Sequence, residues 1–197
     1  MNLWYLLCDW TGAEFLQMTF MKNALLAVLI MAPLFGLLST MIVTGKMSFF
    51  SDALGHSGFT GIAIGVLCGA ASPMLFAVGL AVLLALLFSY VRARTNQAAD
   101  TLIGVFSSTA VALGIFIATL GGGSFTKFNR YLIGDILSVT GGELLGLALT
   151  LLGVLALWFL CYNAMAASSV HATLAGSRGI PVFFFNTLFS VAIAVVV

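Results

Sequence analysis

Pro73-Met74-Leu75-Phe76-Ala77-Val78-Gly79-Leu80-Ala81-Val82-Leu83-Leu84-Ala85-Leu86-Leu87-Phe88-Ser89-Tyr90-Val91 runs without a single Asp, Glu, Lys or Arg, and Arg92 ends it. One helical crossing of a bilayer needs such a run, about 20 mostly apolar residues. Pro73 suits a first helical position, where its missing N–H would be unpaired in any case. A spanning β-barrel would instead show strands of about ten residues that alternate apolar and polar. This run is continuous and roughly twice that length, so the chain is read as all-α.

The same character extends over the whole chain. Of 197 residues, 62% are hydrophobic and 7% are charged, against about 25% charged in soluble domains. The mean hydropathy is +1.20. So few charges cannot cover a soluble fold. Disordered, fibrous and disulfide-framework classes fail too, because the chain is neither polar, nor periodic in Gly-X-Y, nor rich in Cys. The expectation is a single polytopic helical membrane domain over residues 1–197, multi-pass in the cell (inner) membrane. The net charge of +1 offers no basic patch for nucleic acid.

About six spans are expected. Phe20 to Thr44 holds Pro33 and is followed by Lys46. Ala53 to Ala71 is richer in small and polar residues. Pro73 to Val91 is followed by the clearest polar break, Arg92 to Asp100. Thr101 to Leu120 ends at Gly121-Gly122-Gly123, and Leu144 to Tyr162 is the fifth. The sixth starts with Pro181 and stops at Val195-Val196-Val197 without an interfacial anchor. It is slightly short of a roughly 30 Å hydrocarbon core, so the chain reads as incomplete at its C-terminus.

Between the fourth and fifth spans, Lys127, Arg130, Asp135 and Glu143 bracket a short apolar run. A re-entrant or interfacial helix fits there. Trp4, Tyr5 and Trp10 suit an N-terminal segment at headgroup level. If the Arg92–Asp100 loop is cytoplasmic, Lys46, Arg92, Arg94 and Arg178 lie inside, and Lys22, Lys127 and Arg130 outside.

Ionisable groups inside a membrane are costly, and each is a functional candidate by default. One place concentrates them: Ser51-Asp52-Ala53-Leu54-Gly55-His56-Ser57-Gly58-Phe59-Thr60-Gly61. Asp52 and His56 are four apart, one turn apart on one helix face, and Thr60 continues the row. A carboxylate and an imidazole so placed can bind one divalent cation. Equally, they can form a hydrogen bond at a helix N-terminus, where an acidic group is favoured by the helix dipole. Alongside runs a row of small residues, Ala53, Ser57, Gly61, Gly65 and Gly69, which would let another helix approach closely. That row reads as a packing face, or as one wall of a pathway.

Ser107, Ser108 and Thr109 could bond across helices or back to their own turn. Cys8, Cys68 and Cys161 are scattered, with no CxxC pattern. No G-x-x-x-x-G-K-[ST], H-E-x-x-H or G-x-S-x-G occurs, so neither P-loop ATP hydrolysis nor those hydrolase chemistries are expected. The chain reads as a non-enzymatic subunit.

Four segments, in order, resemble the permeases of zinc/manganese importers of the ABC class. They are Lys46-Met47-Ser48-Phe49-Phe50-Ser51-Asp52-Ala53-Leu54-Gly55-His56 with Gly61-Ile62-Ala63-Ile64-Gly65, then Asp100 to Ser108, then Tyr131 to Thr140. Last come Leu174-Ala175 and Gly179-Ile180-Pro181, which match the loop that docks on the ATPase in that family; Arg178 falls within it. The resemblance implies an ATP-driven importer of zinc or manganese, with no permanently bound cofactor. It implies a separate cytoplasmic ATP-binding subunit, an extracytoplasmic metal-binding protein, two permease copies, and further spans beyond Val197. It carries the metal pathway onto Asp52 and His56 and makes Asp135 a further candidate. An ion-coupled secondary transporter or channel, or an ABC permease for a metal chelate, would use the same polar row.

Overall fold

A computed structural model describes residues 4, 5, 8, 18–70, 72–95, 97–120 and 136–197. The described residues from 19 onward form seven α-helices: α1 (Thr19–Thr44), α2 (Phe50–Leu67), α3 (Pro73–Arg94), α4 (Ala99–Leu120), α5 (Gly141–Val170), α6 (Ala172–Ser177) and α7 (Val182–Val196). A 3-10 turn, Ile136–Ser138, precedes α5. No strand occurs among the described residues. Asp9, Trp10 and Glu14, and the whole of Gly121 to Asp135 with its Lys127 and Arg130, lie outside the described residues.

Helix boundaries have local causes. Pro73 opens α3 as expected, and Arg92 and Arg94 occupy its last turn, where the carbonyl end of the helix dipole favours cations. The polar break after Val91 is therefore shorter than the sequence suggests: α3 runs through Arg94 and Asp100 already belongs to the first turn of α4. α5 begins at Gly141, earlier than Leu144, because Thr140 and Glu143 form a capping box. Thr140 N–H donates to Glu143 Oε2 at 2.8 Å, and Glu143 N–H donates back to Thr140 Oγ1 at 3.4 Å. The pair satisfies two of the N–H groups that a helix start leaves unpaired. The 30-residue helix then outruns the expected span at both ends. α1 passes through Pro33 unbroken.

Among the described residues, four helices are long and apolar enough to cross a membrane: α1, α3, α4 and α5. α2, with 18 residues, and α7, with 15, correspond to the other two expected spans but are shorter. α2 can afford its polar residues because it is not the helix that meets lipid. It packs along both α3 and α4, burying Phe50, Ala53, Leu54, Phe59, Ile62 and Ala63. α5 pairs with α1, and α7 bridges α3 to α5. Large apolar side chains cover the outside; Phe159 and Leu160 on α5 are 87% and 84% exposed. In water such a surface would aggregate, whereas acyl chains accept it.

The contact between α2 and α3 explains Gly61 and Gly65 in the row of small residues; Gly69 lies beyond the end of α2, at φ +66° with nothing within 4 Å of its Cβ. A Cβ on Gly61 would lie 2.5 Å from Phe76 O and 2.6 Å from Ala77 Cα, and one on Gly65 3.0 Å from Pro73 Cα. Backbone meets backbone here, so nothing can move aside. Gly61→Ala is expected to destabilise the bundle by about 1–3 kcal/mol through overpacking. Gly55→Ala on the same helix, with nothing within 4 Å of its Cβ, should not. Thermal unfolding of the two variants in detergent separates them.

Candidate functional site

Asp52 stands in the first turn of α2, and no side chain caps that helix start. His56 follows one turn later. Its Nε2 lies 3.5 Å from Asp52 Oδ2, and the side chains are 42% and 68% exposed. Two ligands of one tetrahedral ion, with bonds of about 2.0–2.1 Å, stand about 3.3 Å apart. The pair already has that spacing without any rearrangement of the helix.

The two side chains face a cavity of about 420 Å³ between α2, α3 and α7, lined also by Gly58, Met74, Ala77 and Ala194. Asp52 borders a second cleft of about 320 Å³ on the α4 side, with Asp100, Gly104 and Ser107. No spacing in the sequence places Asp100 near Asp52. The two are 48 positions apart, and only the docking of α4 on α2 joins them. Among the described residues no group of three or more His, Cys, Asp or Glu could hold a metal ion. Asp135 lies outside the described residues.

The row that begins with Asp52 and His56 does not stay open. Thr60 is 3% exposed, and its hydroxyl donates to Ala110 O on α4 at 2.6 Å. Gly114 permits this approach, since a Cβ there would lie 2.6 Å from Thr60 Oγ1. Ser57 is fully buried and donates to Leu54 O at 2.6 Å. Gly61 and Gly65 are sealed against α3. All four sit in helix–helix contacts, one to four turns deeper than Asp52. Ser108 and Thr109 bond back to their own turn, to Gly104 O and Val105 O.

The segment after α5 makes a distinct surface. His171 joins α5 to the short α6, where Ala175 is buried while Leu174 is 60% exposed. Arg178 and Gly179 are exposed and Ile180 half-buried. α6 ends in a Schellman motif: Ile180 N–H donates to Ala175 O at 3.1 Å and Gly179 N–H to Gly176 O at 3.0 Å. Gly179 takes φ +76°, the left-handed conformation that this motif needs and that glycine adopts freely. Leu174 and Arg178 are thereby presented on an exposed, hydrogen-bonded turn.

That turn and the Asp52/His56 pair occupy the same end of the bundle. Gly45, Met47, Arg92, Ser168 and Asn186 surround one small pocket, which gathers the end of α1, the end of α3, the end of α5 and the start of α7. Lys46, Arg92, Arg94 and Arg178, grouped on one side by the sequence, belong to this end.

A multi-pass helical membrane protein, with a carboxylate–imidazole pair open to a cleft and an exposed short helix beside it, belongs to the class of membrane transport subunits. Residues 17–197 match the ABC 3 transport family, and the chain is a member of that family. It is 33% identical over 182 residues to the uncharacterized membrane protein slr2045 of Synechocystis, covering 92% of this chain and 64% of that one. It is 26% identical over 157 residues to the high-affinity zinc uptake system membrane protein ZnuB of Haemophilus influenzae, covering 80% of this chain and 60% of that protein. To the manganese transport system membrane protein MntC of Halalkalibacterium halodurans it is 27% identical over 186 residues, 93% of this chain and 62% of that one. The structure of PsaBC from Streptococcus pneumoniae in complex with Fab superposes with a TM-score of 0.74 at 25% identity, over 100% of this chain and 68% of that chain. The chain thus spans less than two thirds of the length of these curated relatives.

The interhelical bond from Thr60 is open to test. Thr60→Val keeps the shape and removes the donor, and is expected to cost about 1 kcal/mol, the net worth of one intramolecular hydrogen bond. Thr109→Val, which loses only a bond within its own turn, should leave the melting temperature in detergent unchanged.

Proposed function

We propose that this chain is the membrane-spanning permease subunit of an ATP-driven importer of divalent metal ions, zinc or manganese. The observation that carries the reading is the Asp52–His56 pair: two donor atoms 3.5 Å apart, open to a cavity of about 420 Å³, in a member of the ABC 3 transport family. Relatives named for zinc uptake and for manganese transport support the choice of cargo. Imidazole with carboxylate accepts either ion.

The mechanism follows from the cost of dehydration. A divalent cation cannot enter hydrocarbon with its water removed unless protein oxygens and nitrogens replace that water. Asp52 supplies negative charge and His56 a neutral nitrogen at the cleft. Two protein ligands leave coordination positions for water or for the same pair from a second copy of the chain. So open a site holds the ion loosely, as conduction requires, because the ion must also leave. Asp135 is a further ligand candidate on this reading.

No P-loop occurs in the sequence, so energy comes from a separate cytoplasmic ATP-binding subunit. That subunit docks on the turn of Leu174, Ala175, Arg178, Gly179 and Ile180, touching the exposed Leu174, Arg178 and Gly179 while Ala175, buried, anchors the turn to the bundle. An extracytoplasmic metal-binding protein delivers the ion to the opposite face. Alternating access then amounts to moving α2 relative to α3 and α4 as the docking turn is pushed.

Asp52→Ala, introduced into the gene of the cells that make this chain, is expected to lower uptake of radiolabelled zinc or manganese at least about tenfold, the scale on which even an outer-sphere metal partner acts. The amount of protein in the membrane should not change, because the Asp52 side chain is 68% exposed and buried in no core. Uptake at the wild-type level overturns the assignment. Uptake that persists when cellular ATP is exhausted but the membrane potential is held would point to an ion-coupled carrier instead.

A further inference from the structure

The end of the bundle that holds the docking turn also holds a half-buried guanidinium on which the proposed transport step makes no demand. Arg92 stands in the last turn of α3. Its Nη2 donates to Gly45 O at 3.2 Å and its Nη1 to Met47 Sδ at 2.8 Å. Both acceptors flank Lys46, the one described non-glycine residue with positive φ, at +53°. Left-handed backbone is unfavourable for a residue with a Cβ and persists where its surroundings impose it. Arg92 grips this turn from both sides. The turn in its place starts α2: Met47 O accepts from Phe50 N–H at 2.9 Å and Phe49 O from Ala53 N–H at 3.1 Å. Asp52 is two residues beyond Phe50.

On its other side, Arg92 shares a pocket with Ser168 and Ser169 of α5 and Asn186 and Phe189 of α7. These two helices enclose the docking turn, α5 running into it and α7 out of it. They meet at this pocket: Ser168 Oγ, which donates to Met165 O at 2.8 Å on its own helix, lies 3.3 Å from Asn186 Oδ1. α7 is joined to α3 one turn from Arg92, with Ser89 Oγ 2.6 Å from Thr187 Oγ1. Thr187 spends its own proton on Phe183 O at 2.8 Å, so Ser89 is the donor. The contacts form one continuous chain: docking turn, α7, Thr187, Ser89, Arg92, the Gly45–Met47 turn, Asp52 and His56.

We propose that Arg92 is a positioning residue that transmits movement of the docking turn to the Asp52/His56 helix, by holding the Gly45–Met47 turn while Ser89 and Thr187 tie its own helix to α7. The inference rests on the reading of Asp52 and His56 as the cation ligands. Arginine suits the task because its planar fork reaches two acceptors at once. Lysine offers a single point of attachment. Thermodynamic coupling is reciprocal, so an ion at Asp52/His56 must alter the docking turn as much as the docking turn alters ion binding.

The test uses the full chain in lipid nanodiscs with zinc alone as the probe. Zinc binding is measured by equilibrium titration, and hydrogen–deuterium exchange is followed over residues 172–180 with and without zinc. In the wild type, zinc should change exchange across 172–180. In Arg92→Met, zinc affinity should stay within about threefold while that remote change is lost, and Arg92→Lys should restore part of it. A merely structural role would not separate the two readouts. Should Arg92→Met fail to fold by circular dichroism, Thr187→Val removes the other link and carries the same expectation. A full zinc response at 172–180 in either folded variant overturns the proposal. So does a wild-type chain that binds zinc through Asp52 and His56 with no response there. If the wild type binds no zinc, or His56→Ala binds it equally well, the ligand assignment falls and the relay falls with it.

Discussion

Hydrocarbon has no partner for a carboxylate, an imidazole or a hydroxyl, and α2 carries all three. The helix exists in this protein because two apolar helices cover it. α3 approaches so closely that glycine is the only residue that fits at Gly61. α4 accepts the Thr60 proton on the carbonyl of Ala110. Once those faces are covered, one polar stretch is left, at the end where α2 begins. Asp52 and His56 stand there because depth in the bundle excludes them: every polar side chain deeper along α2 is consumed by packing.

This arrangement makes the cleft a consequence of helix length as well as of chemistry. α2 has 18 residues and α3 has 22. The chain between α1 and α2 must turn within a few residues, which forces Lys46 into the left-handed region. Arg92 holds that turn with two donor groups. At the same end, α5 and α7 come together at Ser168 and Asn186 around the exposed turn of α6. Arg92 with the Gly45–Met47 turn and Ser89 with Thr187 place polar contacts between elements at this end, while the outer faces of α1 and α5 remain apolar for the acyl chains.

Much of this was legible in the residues. A charge-free run from Pro73 to Val91 admits one structure in a bilayer, because an unpaired backbone group there costs several kcal/mol and a helix pairs its own. The helical class, the membrane location and the start of α3 at Pro73 follow from that alone. The four-residue spacing of Asp52 and His56 likewise places them on one face of any helix. The Thr140–Glu143 capping box was present in the sequence and would have started α5 at Gly141, but the apolar run beginning at Leu144 is the louder signal.

Tertiary structure decided which of these one-dimensional patterns stay accessible. Thr60 belongs to the same row as Asp52 and His56, and no spacing rule distinguishes it. It is buried because α4 happens to cross at that height, opposite Gly114. Asp100 borders the same carboxylate as Ser107 for the same reason. Arg92 reads as a plain interfacial cation until the turn at Gly45 and Met47 is folded against it. Periodicity along one helix determines which side chains share a face. What that face meets depends on where a second helix crosses it, and contacts between residues tens of positions apart carry no local signature.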